Sequence, residues 1–301
     1  MDILNRLETY AKVLSQEPMR KHTTYHIGGN VDYYIYPNDI LALMNVVDLL
    51  KEQQIPFHVL GRGSNVLFGD EPYHGAIINL DKTFNDYYIE ENGKVTVQAG
   101  CSIINLAVET AKRGLSGLEF ASGIPGSVGG ALFMNAGAYK SDMSAVVTEV
   151  CVYKDNSIVW LSKEQLEFAY RHSIFQKQRD WVILACRMQL KPANVYEIQA
   201  LIESRRQRRI ASQPLDKPCA GSVFRNPKQM PAWKIIDEMG YRGYQIGGAR
   251  ISDKHSNFIV NENDQATAHD VMALIEMIKT QAKKEFDIDL ITEVEQLNWK
   301  K

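Results

Sequence analysis

Apolar positions along this chain alternate between two periods, one near 3.6 and one near 2, which mark helices and strands in turn. Ile40, Leu43, Met44, Val47 and Leu50 recur at helical spacing behind Pro37-Asn38-Asp39, which supplies a starting cap. Ile55-Pro56-Phe57-His58-Val59-Leu60 reads as a buried strand that runs straight into Gly61-Arg62-Gly63-Ser64-Asn65. Lys94-Val95-Thr96-Val97-Gln98-Ala99 alternates like a half-buried strand. Ser102 caps a predicted helix over 103–113, and Gly114 stops it. Strand patterns return over 146–152 and 181–190, and a helix over 195–210 then reads as a domain junction. The last third carries a short helix opened by Pro231 and stopped by Gly240, then a strand at Phe258-Ile259-Val260. An amphipathic helix with Val271, Leu274, Ile275 and Ile278 on one face follows, and a final strand over 290–297. Internal repeats and low-complexity segments are absent from the sequence.

Length and charge narrow the classes without choosing among them. At 301 residues two or three compact units are expected. A hydrophobic share of 45% supplies material for more than one core. A formal net charge of −2 gives the chain no bulk electrostatic reason to bind nucleic acid or an acidic membrane. The one basic run, Arg205-Arg206-Gln207-Arg208-Arg209, suits a solvated helix end. Cys101, Cys151, Cys186 and Cys219 show no CxxC spacing and complete no zinc pattern, so free thiols and no metal are expected. The start, Met1-Asp2-Ile3-Leu4-Asn5-Arg6, lacks a basic region followed by an apolar stretch, so no secretory signal is expected. Apolar runs also fall well short of the roughly 18 residues that span a bilayer. A cytoplasmic monomer, without nucleic-acid or membrane partners, is the expectation.

The glycines are less ordinary. Six of the chain's 20 lie within 117–137, so this segment is built for close backbone approach. Gly61-Arg62-Gly63-Ser64-Asn65 at a strand end suits a concavity of N–H groups for phosphate oxygens, with Ser64 and Asn65 as side-chain donors; a tight surface turn is the alternative. GxxxxGK[ST] occurs nowhere, and Gly61-x-Gly63 lacks the third glycine and following helix of a dinucleotide fingerprint. With the second loop, Ser122-Gly123-Ile124-Pro125-Gly126-Ser127-Val128-Gly129-Gly130, two backbone nests are available to grip one long cofactor.

At these loops, and at later motifs, the sequence resembles the UDP-N-acetylenolpyruvoylglucosamine reductase family. The shared pieces begin with Thr23-Thr24-Tyr25-His26-Ile27-Gly28-Gly29, Leu60-Gly61-Arg62-Gly63-Ser64-Asn65-Val66-Leu67, and Gly123-Ile124-Pro125-Gly126-Ser127-Val128-Gly129-Gly130 with Asn135-Ala136-Gly137-Ala138-Tyr139. They continue with Tyr170-Arg171-His172-Ser173-Ile174-Phe175, Ala220-Gly221-Ser222-Val223-Phe224-Arg225-Asn226-Pro227, Lys254-His255-Ser256-Asn257-Phe258-Ile259-Val260-Asn261 and Thr292-Glu293-Val294. The resemblance implies an α+β chain: a two-subdomain FAD-binding fold of the vanillyl-alcohol-oxidase (PCMH) type, then a C-terminal α+β substrate-binding domain. Boundaries of 1–80 and 81–205 for the flavin subdomains and 206–290 for the substrate domain are expected, with 291–301 returning to the first. The spacing from Tyr139 to Tyr170-Arg171 is similar to the family's second type.

The resemblance also implies the chemistry: non-covalent FAD, NADPH as hydride donor, and UDP-N-acetylglucosamine enolpyruvate as the substrate reduced to UDP-N-acetylmuramate for peptidoglycan. Hydride would pass from flavin N5 to C3 and a proton to C2. Arg171, Ser222 and Glu293 are the implied catalytic residues. Arg171 suits a carboxylate that gathers charge; Ser222 is the proton donor; Glu293 shares a proton with the carboxylate or orients the intermediate. Gly61, Arg62, Gly63, Ser64 and Asn65 would hold the pyrophosphate. Ser122, Gly123, Ile124, Pro125, Gly126, Gly129 and Gly130 would approach the flavin ring, and Tyr25 either stacks near it or packs in a core. Lys217, Arg225, Asn226, Lys254, His255 and Asn257 are candidate UDP-sugar contacts, with His255 alternatively a capped loop residue. Taken singly, each catalytic residue has a plain alternative: a surface arginine, a turn serine and a strand-edge carboxylate. Two rival functions remain: another oxidase of the same fold, and a nucleotide-sugar-binding regulator without turnover.

Overall fold

The computed structural model describes residues 2–299, so Met1 and the last two residues of the expected returning segment 291–301 lie outside the described residues. The chain forms two compact units and crosses between them five times, at Ser15/Gln16, Val31/Asp32, Arg62/Gly63, Tyr73/His74 and Gln207/Arg208. The first crossing of functional interest falls inside the 61–65 glycine loop. The last falls inside the helix Val195–Ser212, on which only Ile198 is buried.

The first unit holds most of a four-stranded sheet, in the order Ala11–Pro18, Asn30–Pro37, Tyr73–Asn79, Phe57–Leu60. Its last two strands run parallel, with Phe57 opposite Ala76 and Leu60 opposite Asn79. The parallel pair needs a crossover on its way from one strand to the next. The helix Ile40–Glu52 buries Leu43, Val46, Val47 and Leu50, and Asp39 accepts a hydrogen bond from the Ala42 N–H at 2.8 Å, as the cap signal predicts. A second sheet is wholly antiparallel, in the order Ser157–Ser162, Val147–Lys154, Val182–Gln189, Lys94–Gln98, Tyr87–Ile89. The helix Ile103–Lys112 starts on the predicted Ser102 cap, and Gly114 follows it at φ +69°. Leu43 and Ile78 of the expected first subdomain share one continuous core with Val95 and Leu184 of the expected second. The four cysteines are free thiols, and burial pushes the Cys101 thiol up to about 11.

The second unit gathers Gln16–Val31, Gly63–Tyr73 and the chain from Arg208 onward. Its core is lined by Val271, Leu274, Ile275 and Ile278 of the helix Ala268–Phe286, the face that the 3.6 period picks out. They meet Phe224, Ile235, Ile236 and a three-stranded sheet of Gln245–Ile246, Ala249–Ile251 and Ile259–Asn261. The short helix Ala232–Glu238 follows Pro231 and ends before Gly240 at φ +73°, as predicted.

The expected final strand is shorter than its sequence pattern. Only Glu295–Leu297 forms a strand, parallel to Val66–Phe68. The segment before it pairs elsewhere: Arg225 N–H donates to the Ile291 carbonyl at 2.9 Å, and Glu293 N–H to the Val223 carbonyl at 2.7 Å. Because the backbone changes partner near Val294, one ladder ends and another begins. Truncating the buried face of the long helix with Ile275→Ala should lower unfolding free energy by about 2–5 kcal/mol in urea titrations.

Candidate active site

In the first unit the two glycine-dense segments meet. A side chain at Gly61 would collide with Ser127 Oγ, so the strand end reaches the second loop only as glycine. Asn79, buried at the end of its strand, donates to the Gly61 carbonyl at 3.0 Å and accepts from the Asp81 N–H at 3.0 Å, which pins the turn. Ser127 in turn caps the helix Val128–Met134 by accepting from the Gly130 N–H. The second loop is therefore not a nest of free donors, which corrects one sequence expectation. Val128 N–H donates to the Cys101 carbonyl and Gly129 N–H to the Ala99 carbonyl, both at 2.8 Å, while Gly126 N–H turns back to Ile124. Ser122 Oγ donates to the Glu119 carbonyl. What segment 122–130 offers instead is shape: glycine-thin backbone with half-buried Ile124 and exposed Pro125. A Cβ at Gly129 would stand 3.1 Å from that of Ala99.

Arg171 sits on a tight turn closed by mutual backbone hydrogen bonds between Ala169 and His172, of 3.1 and 3.0 Å. Its φ of +53° lies in the left-handed region, which costs a non-glycine residue on the order of 1 kcal/mol. Neighbours hold the turn there. Asn135, itself left-handed at the end of its helix, donates to the Ala169 carbonyl at 2.9 Å, and Gln176 donates to the Arg171 carbonyl at 3.0 Å. The guanidinium donates to the Gly137 carbonyl at 2.7 Å and lies 5.0 Å from the Tyr170 ring centroid.

In the second unit Gly63 takes φ +61°, and a side chain there would collide with the His22 carbonyl. Thr24 binds this loop by donating its N–H to the Gly63 carbonyl at 3.1 Å, and its hydroxyl reaches the Cys219 carbonyl at 2.6 Å. Asn65 donates to the Glu293 carbonyl at 3.1 Å. Ser222 follows Gly221, whose φ is +77°, and precedes Val223, whose carbonyl takes the Glu293 N–H. Glu293, remote from Ser222 in sequence, thus makes a backbone hydrogen bond to the residue immediately after it. Ser222 and Glu293 are both half-buried.

Several expected contacts have other tasks here. Asn257 is 3% exposed, and both ends of its amide clasp Phe224: Oδ1 accepts from the Phe224 N–H at 2.9 Å and Nδ2 donates to its carbonyl at 2.8 Å. Expected among the sugar contacts, it instead fixes the irregular segment beside Ser222. Tyr25 is fully buried in the apolar core, so of its two readings the structure supports packing; burial, then Cys219, raises its hydroxyl pKa. Lys217 forms a forked pair with Glu262, both contacts at 2.7 Å. Lys254 reaches the Ile210 carbonyl at 3.0 Å, and Asn226 accepts from the Ala232 N–H. Arg225 is half-buried, with Nε enclosed and without a protein partner among the described residues. His255 packs edge-on against Phe258 and accepts from the Asn257 N–H. Burial, followed by the Arg242 charge, lowers its pKa, although Asp237 opposes this.

Comparison with known proteins agrees with this layout. Residues 31–162 match an FAD binding domain, and residues 213–297 match the C-terminal domain of UDP-N-acetylenolpyruvoylglucosamine reductase. The UDP-N-acetylenolpyruvoylglucosamine reductases of Bacillus velezensis and Bacillus subtilis (strain 168) are each 44% identical over 285 residues, covering 94% of this chain and 93% of theirs. The chain belongs to the UDP-N-acetylenolpyruvoylglucosamine reductase family. A crystal structure of the Thermus caldophilus reductase superposes with a TM-score of 0.82 at 32% identity, covering 96% of this chain and all of that one. The chain is an FAD-dependent oxidoreductase with the expected α+β architecture, an FAD binding domain followed by the family's C-terminal domain.

The donor chemistry suits FAD. In the first unit, Arg62 is an exposed cation of the kind a pyrophosphate could use, and Ile124 and Pro125 are apolar surface of the kind a ring could use; in the second unit, taken by itself, Ser64 carries a half-buried hydroxyl. Asn79, Asn135 and Thr24 carry none of the expected roles, yet they hold the family's motifs in place. Asn135 was signalled by its position after a short apolar helix, where asparagine ends helices left-handed. Gly61→Ala should push Ser127 off the Gly130 N–H, at about 1 kcal/mol, and raise the FAD dissociation constant about tenfold in flavin fluorescence titrations.

Proposed function

We propose that this reductase uses NADPH to convert UDP-N-acetylglucosamine enolpyruvate to UDP-N-acetylmuramate, a step in peptidoglycan precursor synthesis. The observation that carries the reading is the Val223–Glu293 hydrogen bond, which brings the motif of the proton donor and that of the acid onto adjacent backbone. The substrate is a vinyl ether conjugated to a carboxylate. The chemistry that bound FAD supplies is hydride transfer, from NADPH to flavin N5 and on to C3 of that vinyl ether. Negative charge then builds at C2 and spreads into the carboxylate.

Arg171 binds that carboxylate through two parallel N–H donors and stabilises it as charge grows. Its left-handed backbone and the Asn135 and Gln176 contacts fix where the side chain leaves the turn, and the Gly137 carbonyl holds the guanidinium. Ser222 delivers the proton to C2. A hydroxyl is a weak acid in water, but a carbanion beside a carboxylate is strongly basic, so placement matters more than a low serine pKa. Glu293 either shares a proton with the carboxylate or orients it. Arg225, Asn226, Lys254, neutral His255 and Lys217 contact the UDP-sugar, Lys217 through the forked pair that Glu262 already holds. The nicotinamide and the sugar use the same site in turn, which accounts for NADPH use without a second dinucleotide fold. FAD is bound without a covalent link and the enzyme works as a cytoplasmic monomer of the family's second type. Among the described residues no helix is long and apolar enough to cross a membrane.

A rival oxidase of the same fold has no need of the Ser222 and Glu293 motifs, and a regulatory sugar-binding protein has no need of a flavin. Purified protein should be yellow. In stopped flow, NADPH should bleach the flavin and the enolpyruvyl sugar should restore its colour; flavin that the sugar fails to reoxidise would overturn the reading. Ser222→Ala should leave bleaching intact and slow reoxidation at least about a hundredfold. Arg171→Ala should cut turnover about 10²–10³-fold with normal FAD content; a folded but colourless variant would move Arg171 to the cofactor's side.

A further inference from the structure

We infer that Asn65 is a positioning residue for Glu293, so that the one amide side chain of the 61–65 glycine loop sets the acid's place rather than serving chiefly as a phosphate donor. The inference rests on the reductase reading for the role of Glu293, and on the second unit alone for its geometry. The peptide groups on both sides of the Glu293 Cα are held by named partners. On the amino side, Glu293 N–H donates to the Val223 carbonyl at 2.7 Å. On the carboxyl side, the Glu293 carbonyl accepts from Asn65 Nδ2 at 3.1 Å. The Asn65 main chain repeats the grip one step on, its carbonyl accepting from the Glu295 N–H at 2.9 Å. Residue 65 therefore brackets residues 293 and 295, and the parallel pairing of Val66–Phe68 with Glu295–Leu297 continues from that bracket.

The side-chain bond is the informative half. The strand pairing starts at Val66 opposite Glu295, so the ladder by itself leaves the Glu293 carbonyl without a strand partner. That carbonyl lies at the point where the backbone passes from the Val223 pairing to the Val66 pairing, the place in the segment with least regular support. A hydrogen bond there removes a hinge. Val294 is buried in the core, and Glu293 beside it is half-buried. With both flanking peptides held, the Glu293 side chain leaves the backbone from one fixed position. Thr24 makes the matching tie on the other side of the loop, between Gly63 and the Cys219 carbonyl three residues before Ser222. The loop segment 63–65 is thus bonded to the chain leading to each of the two acid-bearing positions.

The test separates a positioning amide from a phosphate ligand. Asn65→Ala, and Asn65→Asp as a variant of the same shape that cannot donate to a carbonyl, are compared with the native enzyme. Both should bleach with NADPH at the native rate on their FAD-loaded fraction and be reoxidised by the enolpyruvyl sugar about tenfold to a hundredfold more slowly. In a Glu293→Ala background Asn65→Ala should add no further loss, because one interaction has then been removed twice. Hydrogen exchange without substrate should rise over residues 293–297 and stay unchanged in the helix Ala268–Phe286. Should Asn65→Ala fail to fold, the Asp variant and its exchange pattern decide. Native reoxidation on the loaded fraction, with an FAD dissociation constant raised more than about tenfold, would assign Asn65 to the phosphate and overturn the inference; so would unchanged exchange over 293–297. If the sugar fails to reoxidise native flavin, the proposed function falls, while the exchange data still decide whether Asn65 holds this strand.

Discussion

The second unit's chemistry hangs from the backbone of Val223 and Phe224. Asn257 closes on it from one side with a buried, two-point amide clasp and its own carbonyl, which accepts the Val223 N–H at 2.9 Å. The 291–293 segment closes on it from the other. Buried peptide groups left unpaired cost about 1–3 kcal/mol each, so this short piece of irregular chain is held as firmly as a sheet interior. Ser222 stands immediately before the clamp and Glu293 immediately across it. The fold therefore need not place two distant residues independently; it places one strand-like segment, and both residues of the proposed chemistry follow. That economy explains why so many residues of the local motifs turn inward to backbone atoms instead of outward to a ligand.

Glycine serves three different ends in the two loops, although the sequence presents them as one composition. Gly61 is a matter of clearance, since Ser127 fills the space where its side chain would be. Gly63 is a matter of torsion, at φ +61°, as well as of clearance from the His22 carbonyl. Gly129 and Gly130 lie in a helix, where they thin the backbone against Ala99 and let Ser127 cap the turn. Only the torsional use matches the picture of N–H groups gathered round a phosphate. In the second loop the N–H groups of Gly126, Val128, Gly129 and Gly130 are already committed to Ile124, Cys101, Ala99 and Ser127, which leaves it fewer groups with which to cradle charge.

Periodicity and caps were the legible part of the fold. Asp39, Ser102, Gly114, Pro231 and Gly240 stand where local signals put them, because a cap depends on atoms within one turn. The stripe of Val271, Leu274, Ile275 and Ile278 is legible for the same reason. The tail over 290–297 was not. Its apolar alternation is genuine, but which ladder each residue joins depends on two segments far away in the chain, and the switch near Val294 has no local signature. Site residues divide along the same line. Asn257 carries a polar side chain inside a shared motif, the usual mark of a ligand contact; its burial against Phe224 is a tertiary fact that residue type does not encode. Tyr25 likewise offered a ring equally suited to a cofactor or a core, and only packing separates the two.

Arg171 shows how a strained position becomes affordable. A left-handed arginine is unfavourable by itself, and the turn that holds it is too short to enforce it. The enforcement comes from Asn135, which ends one helix left-handed, reaches the Ala169 carbonyl with Nδ2 and takes the Ser144 N–H with Oδ1. Beyond it, Tyr139 and Lys140 both have positive φ in a two-residue hairpin turn, with Ala138 opposite Ser141, and this sets the Gly137 carbonyl against which the guanidinium rests. The Asn135-to-Tyr139 motif therefore need not touch a ligand to be functional. It converts the cost of a strained turn into a fixed starting point for a charge, which is the form of preorganisation that the proposed role of Arg171 calls for.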